Sequence, residues 1–127
     1  MTAGRHTPHK AFDAPLPKNG TMRVRMLIFW DLAFPEAFRE PAADGAQVIV
    51  MSLYWYITKI NPKVLAVNLK SEVAFLDNLT AARAYENTCA VAFCNTWGES
   101  HVAMPILGCL GKLRVEKDDM IISEVDA

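Results

Sequence analysis

Residues 22–40, "MRVRMLIFWDLAFPEAFRE", decide how the rest of the chain reads. Within them "VRMLIF", Val24–Phe29, is short, apolar and bounded by turn signals, the pattern of a strand buried in a sheet. "FPEAFREPAADG" follows, with Pro35 at a first helical position, Glu36 in the first turn and Gly45 just past the end. "AQVIVMSL", Ala46–Leu53, is a second apolar strand. Strand, helix and strand make a βαβ unit, so the two strands are expected to be parallel neighbours. Such a tight passage from strand to helix often displays a nucleophile in α/β proteins, yet Phe29 stands there and is chemically inert.

The remaining composition narrows the classes. A chain of 127 residues fits one domain. With 52% hydrophobic and 21% charged residues it is globular in type. A net charge of -1 makes no electrostatic case for nucleic acid or an anionic membrane. Arg5, Lys10, Lys18, Arg23 and Arg25 gather toward the N-terminus, as in a solvated arm. The 3 cysteines, Cys89, Cys94 and Cys109, are odd in number and lack CxxC spacing, so neither a disulfide framework nor a zinc knuckle is expected. His6 and His9 have no further ligands nearby, and no metal is expected. No apolar leader is visible in "MTAGRHTPHK", and the run Val48–Ile57 is about half the ~20 residues that span a bilayer, so a cytoplasmic protein off the membrane is expected.

Along the chain, residues 1–21 carry Pro8, Pro15, Pro17 and Asn19-Gly20 and are expected to be an irregular arm, with the domain proper at 22–127. Tyr54–Leu69 has no clear period and is expected to be a long loop. "SEVAFLDNLTAARAYENT" reads as a helix, with Ser71 as its cap and Phe75, Leu76, Leu79, Ala82 and Tyr85 at helical spacing. It feeds the strand "CAVAFCN" in a second βαβ-like step. In the tail, Lys112–Val115 and Met120–Val125 are expected to pair as an antiparallel hairpin. Ligands of open α/β sheets bind beyond the carboxyl ends of the strands. Three such ends, Phe29-Trp30-Asp31, Ser52-Leu53-Tyr54-Trp55 and Asn95-Thr96-Trp97-Gly98, each bring a Trp and a polar group, which suits a pocket and aromatic rim packing equally.

"MLIFWDLAFPEAFRE" resembles the nucleophile segment of the nitrilase superfamily of carbon-nitrogen hydrolases, whose pattern is close to hydrophobic-Cys-W/Y-D-x-x-F-P-E. The likeness continues through "ADGAQVIVMSLYW", "LTAARAYENTCAVAFCN", with its Arg83-Ala84-Tyr85-Glu86-Asn87 element, and "MPILGCLGKL…MIISEVD". It covers nearly everything from Met22 to Asp126, and the run "AVNLKSEVAFLDNLTAARAYENTCAV" looks most like fungal-type nitrilase or amidase members. The resemblance implies an α/β fold: half of an α-β-β-α sandwich, with a mixed sheet, two main helices and a C-terminal hairpin. It implies no cofactor. It also implies a Cys-Glu-Lys set, in which a thiolate attacks a nitrile or amide carbon, a carboxylate serves as base and then acid, and an ammonium stabilises the tetrahedral species.

Carried onto this sequence, the nucleophile position is Phe29, which cannot form a covalent intermediate. The resemblance puts the base and lysine upstream, in a half with no match here, so an inactive member is expected. The backbone N–H of Trp30 is the implied oxyanion donor. The remnant pocket is expected to comprise Phe29, Trp30, Asp31, Pro35, Glu36, Trp55, Arg83, Glu86, Asn87 and Asn95. Glu86 either braces that pocket or pairs with Arg83, and the pairing is favoured because Arg83 lies one turn back. Cys94 ends a strand expected near that of Phe29 and is the one substitute thiol to name, but with no cation nearby to favour its thiolate it is expected to be a small buried apolar residue. Cys89 matches a structural cysteine of the family, and Cys109 is expected to have no partner. Pro41 is expected to break a backbone bond inside the first helix, at about 3 kcal/mol or a kink. That helix packs across a dimer interface in the family, so a homo-oligomer, or pairing with a full-length homologue, is the implied partnership. Arg25 departs from the small or apolar residue usual in its strand.

Overall fold

The computed structural model describes residues 10–57, 59–113 and 119–124. Six strands form one mixed sheet in sequential order: β1 Phe12–Leu16, β2 Gly20–Ile28, β3 Val48–Leu53, β4 Ala90–Asn95, β5 His101–Met104 and β6 Gly108–Leu110. The centre is parallel, with β2 beside β3 and β3 beside β4, as the two βαβ steps require. Both outer pairs, β1 with β2 and β4–β5–β6, are antiparallel. The helices are α1 Pro35–Ala43, α2 Pro62–Val67 and α3 Ser71–Asn87.

The alternation of buried side chains along β2–β4 shows where the core lies. Leu27, Ile49, Met51, Leu53, Val91 and Phe93 meet Phe38 of α1 and Leu76 and Ala84 of α3. On the opposite face Val24, Val48 and Ala90 form a smaller cluster. That face opens toward the carboxyl ends, where Met26 and Ile28 are 57% and 65% exposed and Ser52 and Cys94 are also exposed. This is a single sheet with α1 and α3 on one side, the half-sandwich in outline.

Several expectations change. The segment expected to be an irregular arm forms β1 between residues 12 and 16, and β2 starts at Gly20. The two close as a hairpin, and Asp44 at the end of α1 pins it. Asp44 accepts the Ala11 N–H at 3.2 Å and two Arg23 bonds of 3.1 Å. The Ala11 amide first, then Arg23, hold its carboxyl below the usual range. The loop expected at Tyr54–Leu69 contains α2, which starts at Pro62 behind a cap from Asn61 Oδ1 to the Lys63 N–H at 2.9 Å. Ser71 does not cap α3: Lys70 holds that position, and Ser71 Oγ is buried without a hydrogen-bond partner among the described residues.

The inward face of α3 is also rotated from the apolar stripe. Leu76, Thr80, Arg83 and Ala84 are buried, whereas Tyr85 is 67% exposed. The tail hairpin is displaced upstream, to β5 and β6. Of the segments expected to form it, Lys112, Leu113 and residues 120–124 are not strand, and 114–118 and 125–127 lie outside the described residues. Pro41 sits inside α1 with its ring buried, and the helix runs on to Ala43. Arg25 is 5% exposed, with Nη2 3.7 Å from Glu40 and Nε without a hydrogen-bond partner among the described residues. No described helix is long and apolar enough to cross a membrane.

The rotation of α3 has a direct consequence for stability. Leu76→Ala should cost about 2–5 kcal/mol in chemical denaturation, and Tyr85→Ala less than about 0.5 kcal/mol. Equal costs would restore the stripe read from the sequence.

Candidate active site

β2 ends at Ile28 in extended backbone, and Phe29 then turns through the left-handed region, with φ of 46°. A 3-10 turn over Phe29–Ala33 leads to Pro35 and α1. Such a backbone costs a non-glycine residue on the order of 1–3 kcal/mol and persists only where its surroundings enforce it. Here Asp31 Oδ2 accepts the Ile28 N–H at 2.9 Å, and the Phe34 N–H donates to the Asp31 carbonyl at 3.1 Å. From α3, Arg83 Nε donates to the Leu32 carbonyl at 3.2 Å and Nη2 to the Ala33 carbonyl at 3.5 Å. Pro35 and Glu36 open α1, with Glu36 exposed.

The ends of β2 and β3 converge through aromatic rings. Phe29 lies 5.2 Å from Trp55 and 5.9 Å from Trp30, centroid to centroid, and Trp30 lies 4.8 Å from Trp55. Asn95, at the end of β4 and 8% exposed, fixes the backbone of Trp55. Its Oδ1 accepts the Trp55 N–H at 2.7 Å, and its Nδ2 donates to the carbonyls of Trp55 at 3.1 Å and Gly98 at 3.0 Å. A second aromatic group stands beyond, where Tyr56 stacks on Trp97 at 4.8 Å and the Tyr54 and Tyr56 hydroxyls are 2.8 Å apart. Sequence reasoning missed two members of the first group. Glu72 accepts from Trp55 Nε1 at 2.7 Å, and Phe75 packs on Trp55 at 5.7 Å. Both lie on α3 one helical step apart, a signal that becomes visible only once Trp55 is known to reach that helix.

Arg83 and Glu86 are engaged with each other and with their own helix. Arg83 Nη1 pairs with Glu86 at 2.9 Å, and Asn87 Nδ2 donates to the Arg83 carbonyl at 2.9 Å. The thiols also fall into place. Cys94, expected to be a small buried residue, is exposed on the open face of the sheet, beside Ser52 of β3 and with Ile28 one strand further on. Cys89 is buried, and burial pushes its thiol up to about 11. Cys109, expected to have no partner, has its Sγ 3.6 Å from Thr80 Oγ1 and 3.7 Å from the Asp77 carbonyl, because β6 lies against α3. At position 29 the turn presents a phenyl ring, which supplies neither a nucleophile nor a proton.

Two measurements test this geometry. Arg83→Lys loses the planar fork that serves two carbonyls, and should destabilise the fold by about 1–3 kcal/mol in denaturant melts. Titration with a disulfide reagent at pH 8 should label Cys94 in the native chain and Cys89 only after unfolding. Burial favours the neutral Cys89 thiol, so its contribution is full below its ordinary value of 9.0 and is lost as pH rises through about 11. Fast native labelling of Cys89 would contradict its burial.

Residues 4–127 match the family described as Carbon-nitrogen hydrolase. No curated protein matches the sequence. Among solved structures the chain is similar to an amidase from Nesterenkonia sp., with 27% identity and a TM-score of 0.59, over 86% of this chain and 39% of that one. A cysteine-to-alanine variant of the Nesterenkonia AN1 amidase, from the nitrilase superfamily, gives 26% identity and a TM-score of 0.58 over 86% and 39%. A glutamate-to-glutamine variant, with acrylamide added at its active-site cysteine, gives 26% and 0.60 over 86% and 40%. The chain thus spans about two-fifths of the length of these amidases. With the family matched along nearly its whole length and the strand–turn–helix at Phe29 in the corresponding fold, the chain belongs to the carbon-nitrogen hydrolase family.

Proposed function

We propose that this chain is a pseudoenzyme of the carbon-nitrogen hydrolase family, one that keeps the turn on which its relatives present a nucleophile and carries no hydrolase activity there. The observation that carries this reading is Phe29 itself. It takes the strained φ of 46° at the end of β2, and its ring packs against Trp30 and Trp55. A phenyl group has no lone pair with which to attack a nitrile or amide carbon, so no thioester and no ammonia can arise from this position. Around it, one carboxylate oxygen of Asp31 bonds the turn, one of Glu72 bonds Trp55 and one of Glu86 bonds Arg83. The family resemblance puts the glutamate and lysine upstream of the stretch that residues 22–126 resemble.

A second reading is a binding or regulatory module that pairs with an intact family member. It is favoured by one observation, the open apolar face on which Met26 and Ile28 are 57% and 65% exposed. Co-purification with a full-length homologue, lost on Ile28→Lys, supports this reading. Retention of the complex by that variant removes it.

The test of the first reading is ammonia release from small aliphatic amides and nitriles. The chain should stay at the no-enzyme background, and Phe29→Cys alone should stay there too, because a thiol without base or ammonium completes none of the remaining steps. Turnover by the unaltered chain overturns the reading. Turnover by Phe29→Cys would place a working base and cation inside residues 1–127.

A further inference from the structure

Away from the Phe29 turn, α3, β5 and β6 bring together Asp77, His101 and Cys109. One ligand atom from each lies within 4.8 Å of the other two. His101 is 2% exposed, and its ring stacks on Phe93 at a centroid distance of 4.9 Å, which fixes its plane. His101 Nδ1 lies 2.6 Å from the Glu99 carbonyl. A carbonyl only accepts, so Nδ1 carries the proton and Nε2 turns its lone pair inward. This backbone clamp on the remote nitrogen is how metal-ligating histidines are held.

The interior of the cluster has more acceptors than protons. Thr80 Oγ1 has a single hydrogen, and around it stand His101 Nε2 at 2.8 Å, the Leu76 carbonyl at 2.9 Å and the Asp77 carbonyl at 3.1 Å. Asp77 Oδ1 is buried and has no hydrogen-bond partner among the described residues. Glu99 Oε2 forms an ion pair with Lys112 Nζ at 3.1 Å, and the same ammonium bonds Asp77 Oδ2. One ammonium is thus shared between two carboxylates, and Asp77 Oδ1, beside an imidazole lone pair and a thiol, is left without a partner among the described residues, which a dication would supply.

We propose that Asp77, His101 and Cys109 form a binding site for a borderline-soft dication of the zinc type. The carboxylate oxygen, the imidazole Nε2 and the thiolate are its protein ligands. Mixed oxygen, nitrogen and sulfur donors favour zinc or cobalt over magnesium or calcium. Metal–ligand bonds of about 2.0–2.3 Å put tetrahedral ligands roughly 3.3–3.8 Å apart, so the three side chains close inward by about 1 Å. On binding, the Cys109 proton leaves to solvent and Lys112 gives up Asp77 to the metal. Lys112 is thus a competitor for the site, and water fills the fourth position. The site uses none of the residues around Phe29 and stands whether or not the pseudoenzyme reading does.

Cobalt(II) titration of the purified chain tests it. One cobalt per chain should bind with a thiolate-to-metal charge-transfer band, which zinc removes by displacement. Cys109→Ser should abolish the band, and Cys94→Ser should leave it. His101→Gln should weaken binding more than about 100-fold, beyond the 10–100-fold that loss of an outer partner costs. Lys112→Met should tighten binding, since the competing ammonium is gone. If His101→Gln fails to fold, the Cys109→Ser result decides, together with a zinc-dependent rise in the Tm of the unaltered chain. The proposal is overturned by the absence of a thiolate band, by a band that survives Cys109→Ser or follows Cys94, or by weaker binding in Lys112→Met.

Discussion

Arg83 is 6% exposed, and its guanidinium closes the seam between α3 and the turn after β2. Carbonyls at the end of a short 3-10 turn have no partner within that turn, and burying them unpaired costs free energy. Two donors of one rigid fork serve Leu32 and Ala33 together, and a third holds Glu86. The same group lies 5.7 Å from the ring of Phe38, which anchors α1 in the core. One side chain therefore sets the positions of α1, α3 and the turn relative to each other. Glu86 is partly solvated, so the buried cation keeps a counter-charge without a second charge being fully desolvated.

That grip explains how a phenylalanine stays in the left-handed region. The turn is held at both ends, by Asp31 on the Ile28 amide and by Arg83 on the following carbonyls, and the Phe29 ring gains packing against Trp55 and Trp30. Trp55 is itself held by Asn95 below and Glu72 to one side. Where the family resemblance leads one to expect a substrate pocket, the strand ends are knitted together by aromatic rings and by one amide side chain whose hydrogen-bonding capacity is spent on backbone. Strain of this sort usually marks a functional position. Here the strained position carries a phenyl ring packed against two tryptophans.

The central sheet and its helices were legible because their signals are local. Apolar runs of strand length, Pro35 at a helix start and Gly45 beyond its end act over a few residues and need no tertiary partner. The inward face of α3 was misread for the opposite reason. Of the expected apolar stripe through Phe75, Leu76, Leu79, Ala82 and Tyr85, Leu76 and Leu79 do face the core, but they share that face with Thr80 and Arg83. Those two polar residues turn inward because carbonyls from the turn, and His101, await them there. Hydrophobic periodicity cannot express a buried hydrogen bond. The β5–β6 hairpin was missed because its place is set by register against β4, with Val91 opposite Ala103, and not by any alternation of its own. For β1 the deciding contact, Asp44 with Ala11 and Arg23, joins residues distant in sequence.

By itself the sequence determined the parallel βαβ core, the family likeness and the identity of residue 29, since each is written in the order and spacing of residues. Tertiary structure alone decided that Phe29 is held at a positive φ among tryptophans, that Arg83 braces the turn, and that Asp77, His101 and Cys109 meet. The physical reason is one of range. Propensity and patterning act within a helical turn or a strand, whereas pairing of buried polar groups and contact between rings depend on which distant segments the sheet brings together.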